Sequence, residues 1–181
     1  MGPALVVRDA TADDIEAVRS IAAAAWRDTY AGLIGESTIE AFLARSYGVE
    51  RVTRRIRDDT FLLAVAEDGA VVAFANAREA EGYLHLLAIY ADPGRRGGGA
   101  GTALLDELRR RFPGEAIAAE VLRGNRKGET FYEARGFVPR ETVEADLFAE
   151  RIVEQRWWLD PQEPPAPGAG QAFSPSGTSE W

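Results

Sequence analysis

The sequence predicts one mixed α/β domain rather than a regular doubly wound one, and three observations carry that expectation. Three β-favouring apolar runs, 61–66, 71–77 and 83–91, follow one another with only short turns between them, which a strictly alternating strand-helix-strand chain would not show. After them, helical periodicity alternates with strand-like runs, beginning at the glycine-dense stretch Arg96-Gly97-Gly98-Gly99-Ala100-Gly101. The length, 181 residues at 46% hydrophobic content, is enough for one domain with a core and short for two.

Taken in order, residues 4–8 read as a short strand. Thr11 is placed to cap a following helix, with Asp14 three residues on in a weaker version of the capping box. Ile15, Val18, Ala22, Ala25 and Trp26 recur at helical spacing, so a helix over about 12–28 has one apolar face. Residues 36–58 give two short helices split near Gly48, with Ile39, Phe42 and Leu43 on one side, placed to shape a cleft. The runs 61–66 and 71–77 flank Glu67-Asp68-Gly69-Ala70, a hairpin turn. The run 83–91 is apolar without alternation and ends at Asp92-Pro93-Gly94, as a central strand would.

A helix follows over 102–112, with Ala103, Leu104 and Leu108 inward and Arg109 to Arg111 where cations oppose the helix dipole. Pro113-Gly114 stops it. Next come a strand at 116–122, a helix at 126–135 closed by Gly136, and two strands, 137–143 and 150–159. The domain is expected to span 1–160. Residues 161–181, rich in proline, glycine and serine, are expected to form a disordered tail, the alternative being that Phe173 or Trp181 docks on a neighbouring surface.

Composition removes several classes of function. No apolar stretch approaches the ~18–20 residues of a membrane span, and the first residues are charged too soon for a signal peptide, so a cytoplasmic protein without membrane contact is expected. Without cysteine there is no disulfide and no sulfur to carry an acyl group, and a single histidine argues against a metal site. Twenty-one basic against 29 acidic residues give a net charge of -8, which opposes binding to nucleic acid and suits a cationic substrate.

A strand, a glycine-dense turn and a helix together build an anion site, because the first amides of a helix lack internal partners and lie at the positive end of its dipole. Glycines at 97, 98, 99 and 101 permit positive φ and close approach of backbone to ligand, and Arg95 and Arg96 add charge. A nucleotide P-loop would need a lysine, and none lies between Gly69 and Lys127. A dinucleotide fingerprint would need a third glycine where Thr102 or Leu104 stands, which leaves a dinucleotide-binding module as a weak alternative.

Arg96-x-x-Gly99-x-Gly101, directly after a strand ending in Asp92-Pro93, resembles the pyrophosphate loop of the GNAT acetyltransferase superfamily. Asn125-x-x-Gly128-x-x-Phe131-Tyr132-Glu133-x-x-Gly136-Phe137 is similar to a second family signature, which carries alanine where Gly128 stands. Arg8-x-Ala10-x-x-x-Asp14 and the stretch from Trp26 to Ile34 add to the likeness, which covers 4–160.

The resemblance implies a GNAT-like fold: a central, mostly antiparallel sheet with one splayed parallel strand pair and about four flanking helices. It implies acetyl-CoA as cosubstrate, no metal, and direct attack by a primary amine of a small molecule or peptide in a ternary complex. Ile89, Tyr90 and Ala91 would bond the pantetheine arm. Ala91 stands where the family usually has valine, a swap that would leave the backbone contacts and widen the thioester pocket. Arg96, Gly97, Gly99, Ala100, Gly101 and Thr102 would hold the pyrophosphate, and Asn125 would touch the cofactor from the other side. A backbone amide near Ala91 would face the oxyanion.

Tyr132 matches the family's general acid, its alternative being an aromatic packing residue beside Phe131. A base is needed because an alkylamine is almost wholly protonated near neutral pH. His85 occupies the strand position where many relatives carry glutamate, and by alternation it shares a face with Tyr83, Leu87, Ile89 and Ala91. A hydrogen-bonded core histidine is the competing reading, with Glu79 or Glu81 as substitutes. Trp26, Tyr30 and the acidic segment 141–150 are candidate walls of the acceptor site, though both aromatics are equally candidates for the core. A noncatalytic acyl-CoA sensor is the alternative function. A homodimer is expected to form, if at all, through a C-terminal strand edge near Arg156 to Leu159.

Overall fold

The computed structural model describes residues 5–161. The tail over 162–181, with Phe173 and Trp181, lies outside them. Strand β1 (Leu5–Asp9) leads through a single 3-10 turn (Ala12–Asp14) into α1 (Ile15–Tyr30), α2 (Glu36–Ser46) and α3 (Val49–Asp58). A meander of β2 (Thr60–Ala66), β3 (Val71–Ala80) and β4 (Tyr83–Ala91) follows. After it come α4 (Ala100–Arg111), β5 (Ala116–Leu122), α5 (Arg126–Glu133) and the hairpin β6 (Val138–Leu147) and β7 (Glu150–Leu159). Five α-helices are present among the described residues, one more than the resemblance implied.

The strands form one seven-stranded sheet in the order β1-β2-β3-β4-β5-β7-β6, with β4 at its middle, as the unbroken apolarity of 83–91 predicted. Every pairing is antiparallel except that of β4 with β5. Both faces are covered. Leu104, Leu105 and Leu108 of α4 pack with Ala73, Ala75, Ala77, Leu84 and Leu86 on one side. On the other, Val18, Trp26, Ile39, Leu43 and Val52 from α1 to α3 pack on Phe61, Leu63 and Phe74. Burial on both faces explains why β3 and β4 read as continuous apolar runs.

One expectation fails here. The strand carrying Trp157 and Trp158 is not an edge: β7 pairs with β5 on one side and β6 on the other. Trp157 and Leu159 are buried, and the edge falls to β6, which is mostly exposed. β6 suits that place physically, because Pro139 cannot donate to a ladder and Arg140, Glu141, Glu144 and Asp146 discourage pairing with another chain.

The entry into α1 is pinned electrostatically. Asp14 accepts from the Thr11 amide at 2.8 Å and the Thr11 hydroxyl at 3.0 Å, and receives both terminal nitrogens of Arg8 at 2.8 Å.

Candidate active site

The sheet is interrupted in one place. β4 and β5 pair only at Tyr83, Leu84 and His85 against Ala116, Ile117 and Ala118, and beyond that point they part. The cause lies on the other side of β4. Opposite β3, Asn76 pairs with Ala88 and Ala77 with Leu86, so Leu87 has no partner and forms a bulge. A bulge bends its strand, and here the bend opens the sheet. The gap is part of a cleft of about 520 Å³ lined by Leu86 to Ala91 on one side and by Glu120 and Val121 on the other.

The bulge also shifts the phase of the strand. Leu84 and Leu86 pack under α4, and so do Ile89 and Ala91, whereas Ala88 and Tyr90 face α1 to α3. His85 therefore lies on the opposite face from Ile89 and Ala91, which corrects the simple alternation expected from the sequence. Uniform period two fails because the extra residue at Leu87 adds one step.

At one end of the cleft stands the glycine loop. Gly97 and Gly99 have φ of +86° and +80°, which only glycine adopts without strain. Gly99 precedes α4 without a side-chain cap, so the amides of Ala100, Gly101 and Thr102 face the cleft with no intrahelical partners. Gly101 is needed for a different reason: a β-carbon there would come within 2.7 Å of the Phe131 ring, so its absence lets α5 pack on the first turn of α4.

Arg95, Arg96 and Lys127 bring positive charge to this end. Arg135 stacks on the Phe131 ring at 3.8 Å and donates to the Phe131 carbonyl at 2.8 Å and to the Thr102 hydroxyl. Asn125 lines the cleft and caps α5, its side-chain oxygen accepting from the Gly128 amide at 2.9 Å. Gly128 has a local reason to lack the family's alanine: a β-carbon would stand 2.6 Å from the Asn125 side-chain nitrogen. These groups suit a phosphate-bearing ligand, since they combine unsatisfied helix amides, a dipole and cations at one end of an elongated gap.

Farther along the cleft are a phenol and a carboxylate. Tyr132 is buried between Phe131 and Phe137, with ring centroids 5.2 and 5.0 Å away. Burial pushes its phenol above the ordinary tyrosine range, and the nearby Tyr90 and Glu120 add to the shift. Glu120 sits just past the last β4–β5 pair. Its Oε2 is 2.6 Å from His85 Nε2 and its Oε1 accepts from Arg156 Nε at 2.8 Å. Burial raises the Glu120 carboxyl, but hydrogen bonds from His85 and Arg156 outweigh it and hold the group below the usual range. On the adjacent strand, burial and the charge of Glu120 push Glu154 upward, opposed by Arg156.

Of the residues singled out in the sequence, Ile89 to Ala91, Arg96, Gly97, Gly99 to Thr102, Asn125, Tyr132 and Tyr30 all line the cleft. His85 stands behind Glu120 rather than on the lining, and Glu79 and Glu81 are exposed away from it. Trp26 is a core residue, stacked on Phe42 at 3.8 Å. In the segment 141–150, Glu141 bonds Arg156 at 3.1 Å and Glu150 holds the Gly35 amide at 3.0 Å, so both serve structural contacts.

Three residues that the sequence reading did not single out belong to this region: Glu120, Lys127 and Asp28. Glu120 had a signal, a carboxylate inside the apolar run 116–122. Lys127 had another, as the sole lysine of the chain.

The chain matches the family model described as Acetyltransferase (GNAT) family over residues 17–137. It is 26% identical over 156 residues to the spermidine N(1)-acetyltransferase of Thermoplasma acidophilum, covering 82% of this chain and 97% of that protein. Among solved structures, PaiA N-acetyltransferase from the same organism, crystallised in complex with coenzyme A, superposes with a TM-score of 0.73 at 25% identity, over 84% of this chain and 98% of that one. A ribosomal-protein-alanine N-acetyltransferase from Brucella melitensis gives a TM-score of 0.64 at 26% identity, over 86% and 99%.

Proposed function

The chain belongs to the GNAT acetyltransferase family and so uses acetyl-CoA as its acetyl donor, and on that footing we propose that it acetylates a primary amine of a small cationic molecule, in the cytoplasm, by direct attack in a ternary complex. One observation carries the choice of acceptor. Where the cleft leaves the glycine loop, Glu120 is the one carboxylate among its lining residues. A carboxylate on the cleft wall favours a cationic group beside it, and the overall charge of -8 favours the approach of one. The spermidine acetyltransferase of Thermoplasma acidophilum supports the same class of acceptor.

The residues divide the work as follows. The amides of Ala100 to Thr102, with Arg96 and Lys127, take the donor's phosphates, while backbone groups of Ile89 to Ala91 face its pantetheine arm in the gap left by β5. Acetyl-CoA supplies an activated thioester carbonyl. Tyr132 serves the departing sulfur. A thiol titrates at about 8.5 and a phenol at about 10, so full proton transfer costs roughly 2 kcal/mol before burial adds to it. Tyr132 therefore acts chiefly as a hydrogen-bond donor to sulfur. Glu120, held below the usual carboxylate range, anchors an ammonium of the acceptor, while the reacting nitrogen enters as the free amine, bonds to the acyl carbon as the carbon–sulfur bond breaks, and gives up its proton to the departing sulfur. His85 acts through Glu120 and is a positioning residue.

The test is a panel of diamines, polyamines, aminoglycosides and alanine-initiated peptides, read by release of free thiol from acetyl-CoA. Turnover concentrated on small polycations supports the proposal. Turnover on the peptides alone would reassign the acceptor, and binding of acetyl-CoA without turnover on any amine would favour a sensor.

A further inference from the structure

The donor end of the cleft holds a carboxylate that donor binding does not need. Asp28 lies in the last turn of α1, at the negative end of the helix dipole, where an acidic side chain is disfavoured unless cations compensate it. Two cations do so. Lys127 Nζ is 2.7 Å from Asp28 Oδ2, and Arg96 bonds the same oxygen while also reaching the Thr29 hydroxyl at 3.4 Å. This contact joins α1, the glycine loop and the first turn of α5, and both cations line the cleft. The other loop arginine, Arg95, is bound by Asp68 at 3.0 Å. In the ligand-free chain each of these three positive side chains already has a carboxylate partner.

We propose that Asp28 is a built-in competitor of the acetyl donor: it stands in for a phosphate on Arg96 and Lys127, so that a phosphate-bearing donor has to displace it and binds more weakly for that reason. A ligand that has to break an existing contact loses affinity in proportion to how firmly that contact holds the site in its unliganded form. Coenzyme A thioesters carry phosphates that replace the carboxylate on both cations. Pantetheine thioesters have the same acyl group and arm but no phosphate, and they leave Asp28 bridging Arg96 to Lys127. The lowered Asp28 carboxyl, held down first by Lys127 and then by Arg96, keeps the stand-in anionic at working pH. The inference rests on the reading that donor phosphates bind at the glycine loop.

Isothermal titration of the wild-type chain, Asp28→Asn and Asp28→Glu with coenzyme A and with pantetheine tests it, with the melting temperature of each ligand-free variant as the check on folding. Asp28→Asn is expected to bind coenzyme A about fivefold more tightly, the competition that one exposed ion-pair cluster can exert. Pantetheine binding should not change, and Asp28→Glu should return towards wild type. Unchanged or weaker binding of coenzyme A by a folded Asp28→Asn variant, or an equal gain for pantetheine, overturns the inference alone. Wild-type chain that binds pantetheine as tightly as coenzyme A overturns the placement of the phosphates as well.

Discussion

His85 Nε2 lies 2.6 Å from Glu120 Oε2, at the last point where β4 and β5 still pair. The imidazole holds one carboxylate oxygen and Arg156 the other, so Glu120 is fixed at the mouth of the opening. A carboxylate held below its usual range is a weak base but a good anionic anchor. Glu120→Gln should therefore raise KM for a cationic amine by about tenfold to a hundredfold, the scale of a charge-assisted bond of roughly 1.5–3 kcal/mol. His85→Asn should have a smaller effect of the same kind, on KM rather than kcat, because His85 acts by holding Glu120. Steady-state kinetics against amine concentration decides it. A Glu120→Gln enzyme with unchanged KM would remove the anchor role.

The Tyr132 phenol is raised by burial above the ordinary value, so it stays protonated wherever the protein is folded and useful. The rate should climb with pH as the acceptor amine loses its proton, with no descending limb from Tyr132 below about pH 10. Tyr132→Phe should lower kcat by about a hundredfold or less, as loss of a hydrogen bond to the leaving sulfur would, and keep coenzyme A affinity. A descending limb near neutrality that disappears in Tyr132→Phe would contradict this.

The elements were legible because their signals are local. Helical spacing from Ile15 to Trp26 and the turn chemistry of Asp68-Gly69 and Pro113-Gly114 set boundaries within a few residues. The Leu87 bulge was not legible. From Leu84 to Tyr90 nearly every residue is apolar, and a strand buried on both faces carries no alternation from which a change of phase could be read. The order of the last two strands did leave a trace, Pro139, which belongs on an edge. The donor loop was readable as contiguous sequence, whereas Asp28 meets Arg96 and Lys127 across 68 and 99 residues and reads locally as one more solvated helix charge.

Stability in acid should depend on Asp14. Its hydrogen bonds from Arg8 lower the carboxyl from an ordinary 3.8 to about 2, against burial and with help from Thr11. A depressed folded value means that the native state binds this proton less readily than the unfolded state. The contribution is complete above the ordinary value and is lost as pH falls through the folded one. With Arg8 itself 42% exposed, the pair is worth about 1–2 kcal/mol after allowance for solvent screening. Asp14→Asn should be less stable by that amount near neutral pH in urea unfolding, and the gap should close as pH approaches about 2. A gap that persists there would assign the loss to packing instead.

Gly99 tests whether the anion site depends on the aim of the α4 amides. At φ +80° a β-carbon would touch nothing within 4 Å, so Gly99→Ala brings backbone strain without a clash. Left-handed geometry costs a non-glycine residue about 1–2 kcal/mol, a fall of a few degrees in melting temperature for a chain of this size. Gly82, at φ +83° and equally open, lies in the turn between β3 and β4 and outside the cleft, so Gly82→Ala should cost the same stability. The two differ in what the strain would move. At Gly99 the chain relaxes by turning the first amides of α4, which should weaken coenzyme A binding about tenfold, whereas Gly82→Ala should leave it unchanged. Titration calorimetry on both variants, with melting curves to match their stabilities, separates the effects. Equal affinities would mean that the cations, not the helix amides, hold the donor.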